Sequence, residues 1–278
     1  MTDQDNQRSK ADAFLSMHRS TKLLVLPNAW DVASARIFEA AGVSAIATTS
    51  GGIAFSLGYP DHQRISREEM LACVARIATK VKIPITADVE AGYGNRPEDA
   101  AATARAVIEA GAVGVNLEDG TNDPQRPLED LSLQLEKIAA MRETANNAGI
   151  HLVINARTDV YLAQVGRPEG RYAETVKRLA AFRDGGADCL FVPGLSELSI
   201  IAKLVQDLQH PINILAGPSF PSISELQNAG VARVSLGSGP MRATLGLARR
   251  TVQELQTTGT YQSLEGAPSY AEVNRMLE

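Results

Sequence analysis

The sequence has few cysteines and no long apolar run, and both scarcities narrow the class of protein. Only two of its 278 residues are cysteine, Cys73 and Cys189, and they lie far apart in apolar patterns. This usage excludes a disulfide framework and a zinc-finger spacing, and it suits a reducing cytoplasm. The longest apolar runs are strand-length, and residues 1–20 lack the apolar core of a signal peptide. We therefore expect a cytoplasmic protein with no part in a membrane.

The sequence also lacks an excess of basic residues. Its 27 lysines and arginines are outnumbered by 32 aspartates and glutamates, which gives a net charge of −5. A nucleic-acid-binding protein would show a basic stripe, so that class is disfavoured. The apolar and charged fractions, 44% and 21%, are ordinary for a globular protein whose length allows a sizeable core. We expect one domain over residues 1–278, with a polar extension over 1–21 and a helical tail over 257–278.

Short apolar runs alternate regularly with longer stretches that have helical spacing. Strands that alternate with helices predict βαβ units and a parallel sheet. Eight such units in one chain favour a (β/α)₈ TIM barrel with extra C-terminal helices. The eight predicted strands are Leu23–Leu26, Ser44–Thr48, Ile83–Asp88, Val113–Leu117, Leu152–Asn155, Cys189–Val192, Ile212–Leu215 and Arg233–Leu236.

A doubly wound sheet is the rival fold, and the turn after the first strand argues against it. That turn, Pro27–Asp31, contains no glycine, whereas a dinucleotide-binding sheet needs a glycine-rich turn there. The pair Gly92 and Gly94 fails as a dinucleotide fingerprint because Pro97 holds the third glycine's position. The sequence therefore favours the barrel.

Acidic residues follow three neighbouring predicted strands. Asp88 and Glu90 end the third strand, Glu118 and Asp119 end the fourth, and Asp159 follows the fifth. In a (β/α)₈ barrel the carboxyl ends of the strands meet at the active face. Carboxylates buried together raise one another's pKa values, and a divalent cation relieves this cost. The all-oxygen ligand set favours Mg²⁺, with Mn²⁺ as the alternative, at a site of Asp88, Glu90 and Glu118.

Other residues at the same face suit an anionic ligand. The guanidinium of Arg157 can grip a carboxylate or phosphonate with two hydrogen bonds. Ser50, Gly51 and Gly52 can bring backbone N–H groups close to an anion, because the two glycines put no side chain in the way. Trp30 is interpreted as a pocket wall or as part of the core.

Each of these residues also has a purely structural interpretation. The alternatives are a turn cap for Asp88, a solvated loop pair for Glu118 and Asp119, and an ion pair with Asp159 for Arg157. Asp31 is interpreted as the N-cap of the helix that follows it, and His62 as a surface residue. The functional interpretation rests on the joint placement of these groups at consecutive strand ends.

Six motifs in register resemble the isocitrate lyase/phosphoenolpyruvate mutase superfamily over about residues 22–255. The motifs are Pro27-Asn-Ala-Trp-Asp31, Thr49-Ser-Gly-Gly52, Leu57-Gly-Tyr-Pro-Asp61, Asp88-Val-Glu-Ala-Gly-Tyr-Gly94, Asn116-Leu-Glu-Asp119 and Ala156-Arg-Thr-Asp159. The resemblance implies a (β/α)₈ barrel, Mg²⁺, and cleavage or formation of a C–C or P–C bond in a 2-oxo acid or related carboxylate. It also implies a homo-oligomer, in which helix-swapped dimers assemble into tetramers.

The resemblance also implies roles for individual residues. Asp88 matches the principal metal ligand, and Asp61, Glu90 and Glu118 match carboxylates that hold metal-bound waters. Ser50, Gly51 and Gly52 match the segment that binds the substrate carboxylate, and Arg157 matches the substrate-binding arginine. The metal would polarise the 2-oxo group as the adjacent bond breaks.

The loop after the fourth strand departs from the family pattern. Isocitrate and methylisocitrate lyases carry a Lys–Cys–Gly–His type segment there, whereas residues 118–127 contain no Cys, Lys or His. The phosphonate enzymes keep a Lys-Thr-Asn motif, of which Thr121 and Asn122 remain. We infer candidate catalytic roles for Asp61, Arg157 and Asn122. Three hypotheses stay open: an Mg²⁺-dependent lyase or hydrolase on an oxaloacetate-like acid, a phosphonomutase-type enzyme, and a non-catalytic 2-oxo acid binding protein.

Overall fold

A computed structural model describes residues 3–278 and shows a parallel barrel surrounded by helices. The nine strand segments pair in the order β1-β9-β8-β7-β6-β5-β4-β3-β2, and every pairing is parallel. They are β1 Leu24–Leu26, β2 Asn28–Ala29, β3 Ile46–Thr48, β4 Ile85–Asp88, β5 Gly114–Glu118, β6 Val153–Arg157, β7 Cys189–Phe191, β8 Ile212–Leu215 and β9 Arg233–Ser235.

Two of these segments form one barrel strand, which is interrupted at Pro27. The segment β1 pairs with β9 and β2 pairs with β3, so the two ends of the sheet meet on the same stretch of chain. Proline has no N–H to donate, which accounts for a break in the ladder at this residue. The predicted (β/α)₈ barrel is therefore confirmed, and each of the eight predicted strands overlaps a strand of the structure.

Helices cover the outside of the barrel and extend beyond the eighth unit. They are α1 Asp3–His18, α2 Val32–Ala40, α3 Ser50–Ser56, α4 Arg67–Lys80, α5 Pro97–Glu109, α6 Leu131–Ala148, α7 Pro168–Asp184, α8 Leu198–Leu208, α9 Ile223–Asn228, α10 Gly239–Thr257 and α11 Tyr270–Leu277, with a 3₁₀ turn at Gln262–Leu264. Asp31 caps α2, because its carboxylate accepts a hydrogen bond from the N–H of Ser34 at 2.7 Å. No helix in residues 3–278 is long and apolar enough to cross a bilayer.

The first helix lies under the barrel, at the amino ends of the strands. Phe14 is fully buried there, and a Cβ on Gly114 would stand 2.9 Å from its ring, so the glycine makes room for the aromatic side chain. The side chain of Gln7 donates to the carbonyl groups of Ile108 and Ala112 at 2.8 and 3.0 Å. Most of the stretch expected to be a polar extension is thus a packed helix, and residues 1–2 of it lie outside the described residues.

His18 ends this helix inside the protein, with only 2% of its surface exposed. Its Nδ1 lies 2.8 Å from the carbonyl oxygen of Phe14, and its Nε2 faces Nη1 of Arg233 at 3.4 Å. A carbonyl can only accept, so Nδ1 carries the proton and Nε2 presents a lone pair to the guanidinium. Burial and the charge of Arg233 lower the pKa of His18 to about 4, although the Phe14 carbonyl and Asp188 act in the opposite direction.

We expect this buried imidazole to make the protein sensitive to mild acid. The folded-state pKa lies below the ordinary value of 6.5, so the unfolded chain takes up the proton first. The contribution to stability is complete above pH 6.5 and is lost as the pH falls from there towards 4. The loss should be about 2 kcal/mol between pH 7.5 and 5. Urea unfolding at both pH values measures it, and His18→Gln should remove that part of the difference. An equal difference in both proteins would contradict the prediction.

The C-terminal helices leave apolar side chains exposed. Among the described residues of α10, Met241 alone is buried. Leu245, Val252 and Leu255 of the same helix are 49%, 52% and 45% exposed. The tail folds back on α2, where Nε of Arg36 donates to the carbonyl of Met276 at 2.6 Å. The outer face of α10 thus presents an apolar stripe that the barrel does not cover.

Candidate active site

The carboxyl ends of the strands surround a cavity of about 190 Å³. Ser50, Gly51, Asp61, Asp88 and Arg157 are among the residues that line it. A cavity of this size is below the range that drug-sized ligands occupy, so it suits a small molecule. The structure therefore places five of the residues singled out in the sequence around one small cavity at the active face of the barrel.

Asp88 ends β4, and hydrogen bonds fix its carboxylate at the mouth of the cavity. Its Oδ2 accepts from the N–H and the hydroxyl of Ser50 at 3.0 and 2.8 Å, and its Oδ1 accepts from Nδ2 of Asn116 at 2.9 Å. The hydroxyl of Thr48 accepts from the backbone N–H of Asp88 at 2.9 Å. Each carboxylate oxygen has two lone pairs, so these bonds orient the group, occupy Oδ2 and leave one lone pair of Oδ1 for a cation.

A second acidic group lies beside the mouth, where Asp61, His62 and Glu90 each bring one ligand atom to within 4.8 Å of the others. Gly51 packs closely against Asp61, since a Cβ on this glycine would stand 2.8 Å from Oδ2. His62 is exposed, as the sequence predicts, and it is one of the three members of this cluster. An imidazole beside two carboxylates adds a nitrogen ligand to the predicted oxygen set.

Glu90 is almost completely buried behind Asp88. The N–H of Gln63 donates to its Oε2 at 2.6 Å. Burial, followed by the charges of Asp88 and Asp61, raises the pKa of Glu90 to about 8. The charges of Asp88 and Asp61 are thus close enough to oppose the ionisation of Glu90.

Arg157, at the end of β6, is held between two acids. Its Nη1 lies 2.6 Å from Oε2 of Glu118, while Nε and Nη2 contact the two oxygens of Asp159 at 2.6 and 2.9 Å. Burial raises the pKa of Glu118 well above its usual range, and the charge of Arg157 acts against that rise. Burial would lower the pKa of Arg157, but Glu118 and Asp159 raise it above its ordinary value. The ion-pair interpretation therefore describes this guanidinium, which also lines the cavity.

The donor set fits a divalent cation. Glu90 and Glu118 have raised pKa values because they are buried, and the neighbouring Asp88 adds to both rises. Arg157 is the one cation that contacts this group among residues 3–278. A hard cation would offset the remaining repulsion, and Mg²⁺ keeps several of its waters while using one or two carboxylates directly. Asp88 lines the cavity, whereas Glu90 and Glu118 are buried and are not among its lining residues.

The predicted substrate-binding segment divides into two parts. Ser50 and Gly51 line the cavity. The N–H of Gly52 is bonded to the hydroxyl of Thr49 at 3.2 Å, and a Cβ on Gly52 would stand 3.0 Å from Cβ of Trp30. Trp30 packs beside the cluster of Ile53, Ile65 and Met70, which is a core position. The structure thus brings Ser50 and Gly51 to the cavity and places Gly52 and Trp30 behind them.

Asn122 lies on the loop after β5 and does not line the cavity. It has a left-handed φ of 60° and borders a separate shallow depression, which Gly120 and Asp159 also line. The base of this loop is closed by an antiparallel bridge between Gly120 and Leu128, and the N–H of Glu129 donates to the carbonyl of Asp119 at 2.7 Å. A catalytic role for Asn122 requires the tip of the loop to move towards the cavity.

Asp119 supports the site from behind and is fully buried, so it is not part of a solvated loop pair. It accepts hydrogen bonds from the hydroxyl of Thr158 at 2.7 Å and from the N–H of Asp159 at 2.9 Å. Nη1 of Arg178 lies 3.1 Å from its Oδ2 and also donates to the carbonyl of Glu129 at 3.0 Å. The pair holds Asp159, and through it Arg157, in place.

Three polar residues deeper in the barrel were missed in the sequence. Asn213, Arg233 and Ser235 line the cavity below its mouth, and Asn28, which the sequence places at the end of the first strand, lines it as well. The side-chain oxygen of Asn28 accepts from the N–H groups of Leu236 and Gly237 at 2.7 and 2.9 Å. A signal existed, because alternate residues of a strand share one face and these side chains interrupt otherwise apolar strands.

The fold and these carboxylates define a (β/α)₈ barrel whose active face carries an acidic group of suitable composition for a divalent cation, and comparison with known proteins identifies the family. The family model for phosphoenolpyruvate phosphomutase matches residues 14–256. The chain belongs to this family, within the isocitrate lyase/phosphoenolpyruvate mutase superfamily.

Three relatives show the range of the family. The 2-methylisocitrate lyase of Escherichia coli K12 is 29% identical over 83% of this chain and 79% of its own length. A crystal structure of a lyase/mutase candidate from Burkholderia cenocepacia J2315 has a TM-score of 0.91 at 36% identity, covering 98% of this chain and 96% of that one. A phosphonopyruvate hydrolase, crystallised with oxalate and Mg²⁺, has a TM-score of 0.83 at 23% identity, covering 96% and 94%, which shows the shared fold. Membership of this superfamily of lyases, hydrolases and mutases supports an enzyme over a non-catalytic binding protein.

Proposed function

We propose that the protein is an Mg²⁺-dependent lyase or hydrolase that cleaves a C–C bond in a small, oxaloacetate-like 2-oxo acid by way of an enolate. The observation that carries the proposal is the carboxylate-rich mouth of a small cavity that also presents Arg157 and the backbone of Gly51. Metal and guanidinium together suit a ligand with a carboxylate next to an oxo group.

We assign metal binding, substrate binding and proton transfer to different residues according to their positions in the site. Asp88 would hold the cation directly, with Glu90 and Glu118 holding its waters. When bound, Mg²⁺ polarises the 2-oxo group and stabilises the negative charge that develops there. Arg157 would bind the substrate carboxylate through the N–H groups of Nη1 and Nη2 that Glu118 and Asp159 leave free, and the N–H of Gly51 is the backbone donor beside it. Asp61 lines the cavity, and we assign it the role of orienting a water molecule or accepting its proton.

A P–C bond enzyme of the phosphonomutase kind is the second candidate. The retained pair Thr121 and Asn122 favours it, as does the likeness in fold to phosphonopyruvate hydrolase. In the structure the hydroxyl of Thr121 donates to the carbonyl of Arg126 and accepts from the N–H of Asp123 at 3.1 Å, so it is used inside the loop. The missing lysine of the motif favours C–C chemistry.

A substrate panel with Mg²⁺ tests the two candidates. Turnover of oxaloacetate supports the first, turnover of phosphonopyruvate or phosphoenolpyruvate supports the second, and removal of Mg²⁺ should stop either. Binding of these acids with no turnover would overturn both.

Isocitrate and methylisocitrate are expected to be nearly inert substrates. The loop over residues 118–127 has no thiol to protonate the departing enolate. Cys189 is fully buried, which raises the pKa of its thiol to about 12, and Cys73 lies on α4. Neither can replace the loop cysteine. Release of glyoxylate or pyruvate from these substrates at rates usual for enzymes, about 1–10³ s⁻¹, would contradict this prediction.

We further propose a homodimer, or a homotetramer built from dimers, with the segment from Pro240 onward at the interface. The exposed leucines and valine of α10 are the surface that a partner subunit would cover. Truncation after Gln256 should lower the thermal midpoint and shift the assembly towards smaller species in light scattering. A monomer for the intact chain at micromolar concentration would refute the proposal.

A further inference from the structure

Arg233 is a buried cation that no carboxylate contacts among the described residues. Its side chain is 2% exposed, and its Nε has no hydrogen-bond partner within residues 3–278. The one side chain within hydrogen-bond distance is His18, at 3.4 Å from Nη1. His18 presents a lone pair and is neutral, so it positions the guanidinium without cancelling its charge. A buried charge that lacks both pairing and full hydrogen bonding costs several kcal/mol.

Arg233 lies where its charge can act on a ligand in the cavity. Arg233 lines the same cavity as Asp88, below the mouth. The hydroxyl of Thr86, which also lines the cavity, is a second buried polar group without a partner in residues 3–278. Asn213 and Ser235 stand beside them, with Nδ2 and Oγ 3.2 Å apart. The lumen thus combines a cation with unpartnered polar groups, whereas its mouth is acidic.

Arg233 carries a positive charge at neutral pH. Burial lowers its pKa to about 10, and the Cys189 thiol and the Asp88 carboxylate partly offset that effect. The guanidinium therefore stays charged, and the carboxylate that interacts with it most strongly belongs to the rim of the cavity. A cation placed this way can attract an anionic group that passes the rim.

We propose that Arg233 makes the lower part of the cavity an anion subsite, which binds the far carboxylate of a dicarboxylate held at the mouth by its other end. The proposal rests on the proposed function for the location of the first carboxylate. Arg233 is then a specificity-determining residue, because a ligand with a second negative charge binds more tightly than one without it. The polar groups of Thr86, Asn213 and Ser235 supply the remaining hydrogen bonds.

Three probes, titrated calorimetrically with saturating Mg²⁺, separate the subsite from the mouth. Oxalate is short and reports on the mouth. Malate and 2-hydroxybutyrate share their first carboxylate and hydroxyl group and differ in the far carboxylate. The wild-type protein should bind malate at least about tenfold more tightly than 2-hydroxybutyrate. Arg233→Met should abolish that ratio and leave oxalate binding within about twofold of wild type. Arg105→Met, which removes an exposed arginine from α5, should change neither value.

The outcomes distinguish the two proposals. Failure of oxalate to bind the wild-type protein with Mg²⁺ would count against the proposed function. Oxalate binding with equal affinities for malate and 2-hydroxybutyrate would overturn the subsite alone, as would an unchanged ratio in a folded Arg233→Met protein. In that case Arg233 serves as a structural charge beneath Asp88. Should Arg233→Met fail to fold, Arg233→Lys keeps the cation and must keep the preference for malate, and the wild-type ratio remains decisive.

Discussion

Replacing Asp88 with asparagine is expected to abolish Mg²⁺ binding and to lower turnover more than about a hundredfold. Loss of even an outer partner of a metal ligand costs about 10–100-fold, so loss of the ligand charge itself should cost more. The fold should survive, because Asp88 is only partly buried at a strand end and asparagine has nearly the same shape. Calorimetric titration with Mg²⁺, with circular dichroism as the test of folding, measures both effects.

A matched change elsewhere separates this effect from a general loss of acidic charge. Asp12 is exposed on α1, at the opposite end of the barrel, and Asp12→Asn should bind Mg²⁺ as the wild type does. An unchanged titration in Asp88→Asn would show that the cation, if bound, lies elsewhere, and the group of Asp61, His62 and Glu90 would then be the next position to test.

Replacing Arg178 with methionine should destabilise the protein by about 3–5 kcal/mol, which is the usual cost of removing one partner of a buried ion pair. Asp119 is 0% exposed and would keep its bonds from Thr158 and Asp159 but lose its one contacting cation within residues 3–278. Activity should fall as well, because Asp159 holds Arg157. The free energy of unfolding in urea measures the stability change.

The neighbouring residue offers a control. Lys177 is 65% exposed and lies 3.5 Å from Glu174, so Lys177→Met should change the stability by less than about 1 kcal/mol. The double variant Asp119→Asn with Arg178→Met should recover part of the loss, since no buried charge then remains unpaired. Equal effects at positions 177 and 178 would mean that the Asp119–Arg178 pair contributes little.

The fold could be predicted because periodicity reports directly on which faces are buried. Strands such as Ile212–Leu215 are short apolar runs set between helical patterns, and the structure has a strand over the same residues. Two helices carry no such signal. In α1 the packing depends on three buried side chains, Ala11, Phe14 and His18, within a largely polar stretch. In α3 two of seven residues are glycine, a poor helix former, and tertiary contacts override that local preference.

The site could be predicted in part from one rule, which is that the active site of a (β/α)₈ barrel lies at the carboxyl ends of its strands. That rule placed Asp88, Glu118 and Arg157 at one face, because each ends a parallel strand. The rule does not give side-chain pairing, so it left open whether Arg157 faces a ligand or Asp159. It also does not apply to Asn122, whose position depends on how the loop closes at Gly120 and Leu128. Arg233 was overlooked because a charged residue near the start of a strand resembles an outer-face residue until the barrel is assembled.

The fastened base of the loop after β5 sets a limit on substrate size. Residues 121–127 form the tip of the loop, beyond two ties at its base: the bridge between Gly120 and Leu128, and the bond from the N–H of Glu129 to the carbonyl of Asp119. A segment of seven residues fixed at both ends reaches at most about half its extended length, roughly 12 Å. A flap this short can enclose a compact acid but cannot fold over a long or branched one. Lengthening the loop would thus be the route by which this barrel could be adapted to bulkier acids.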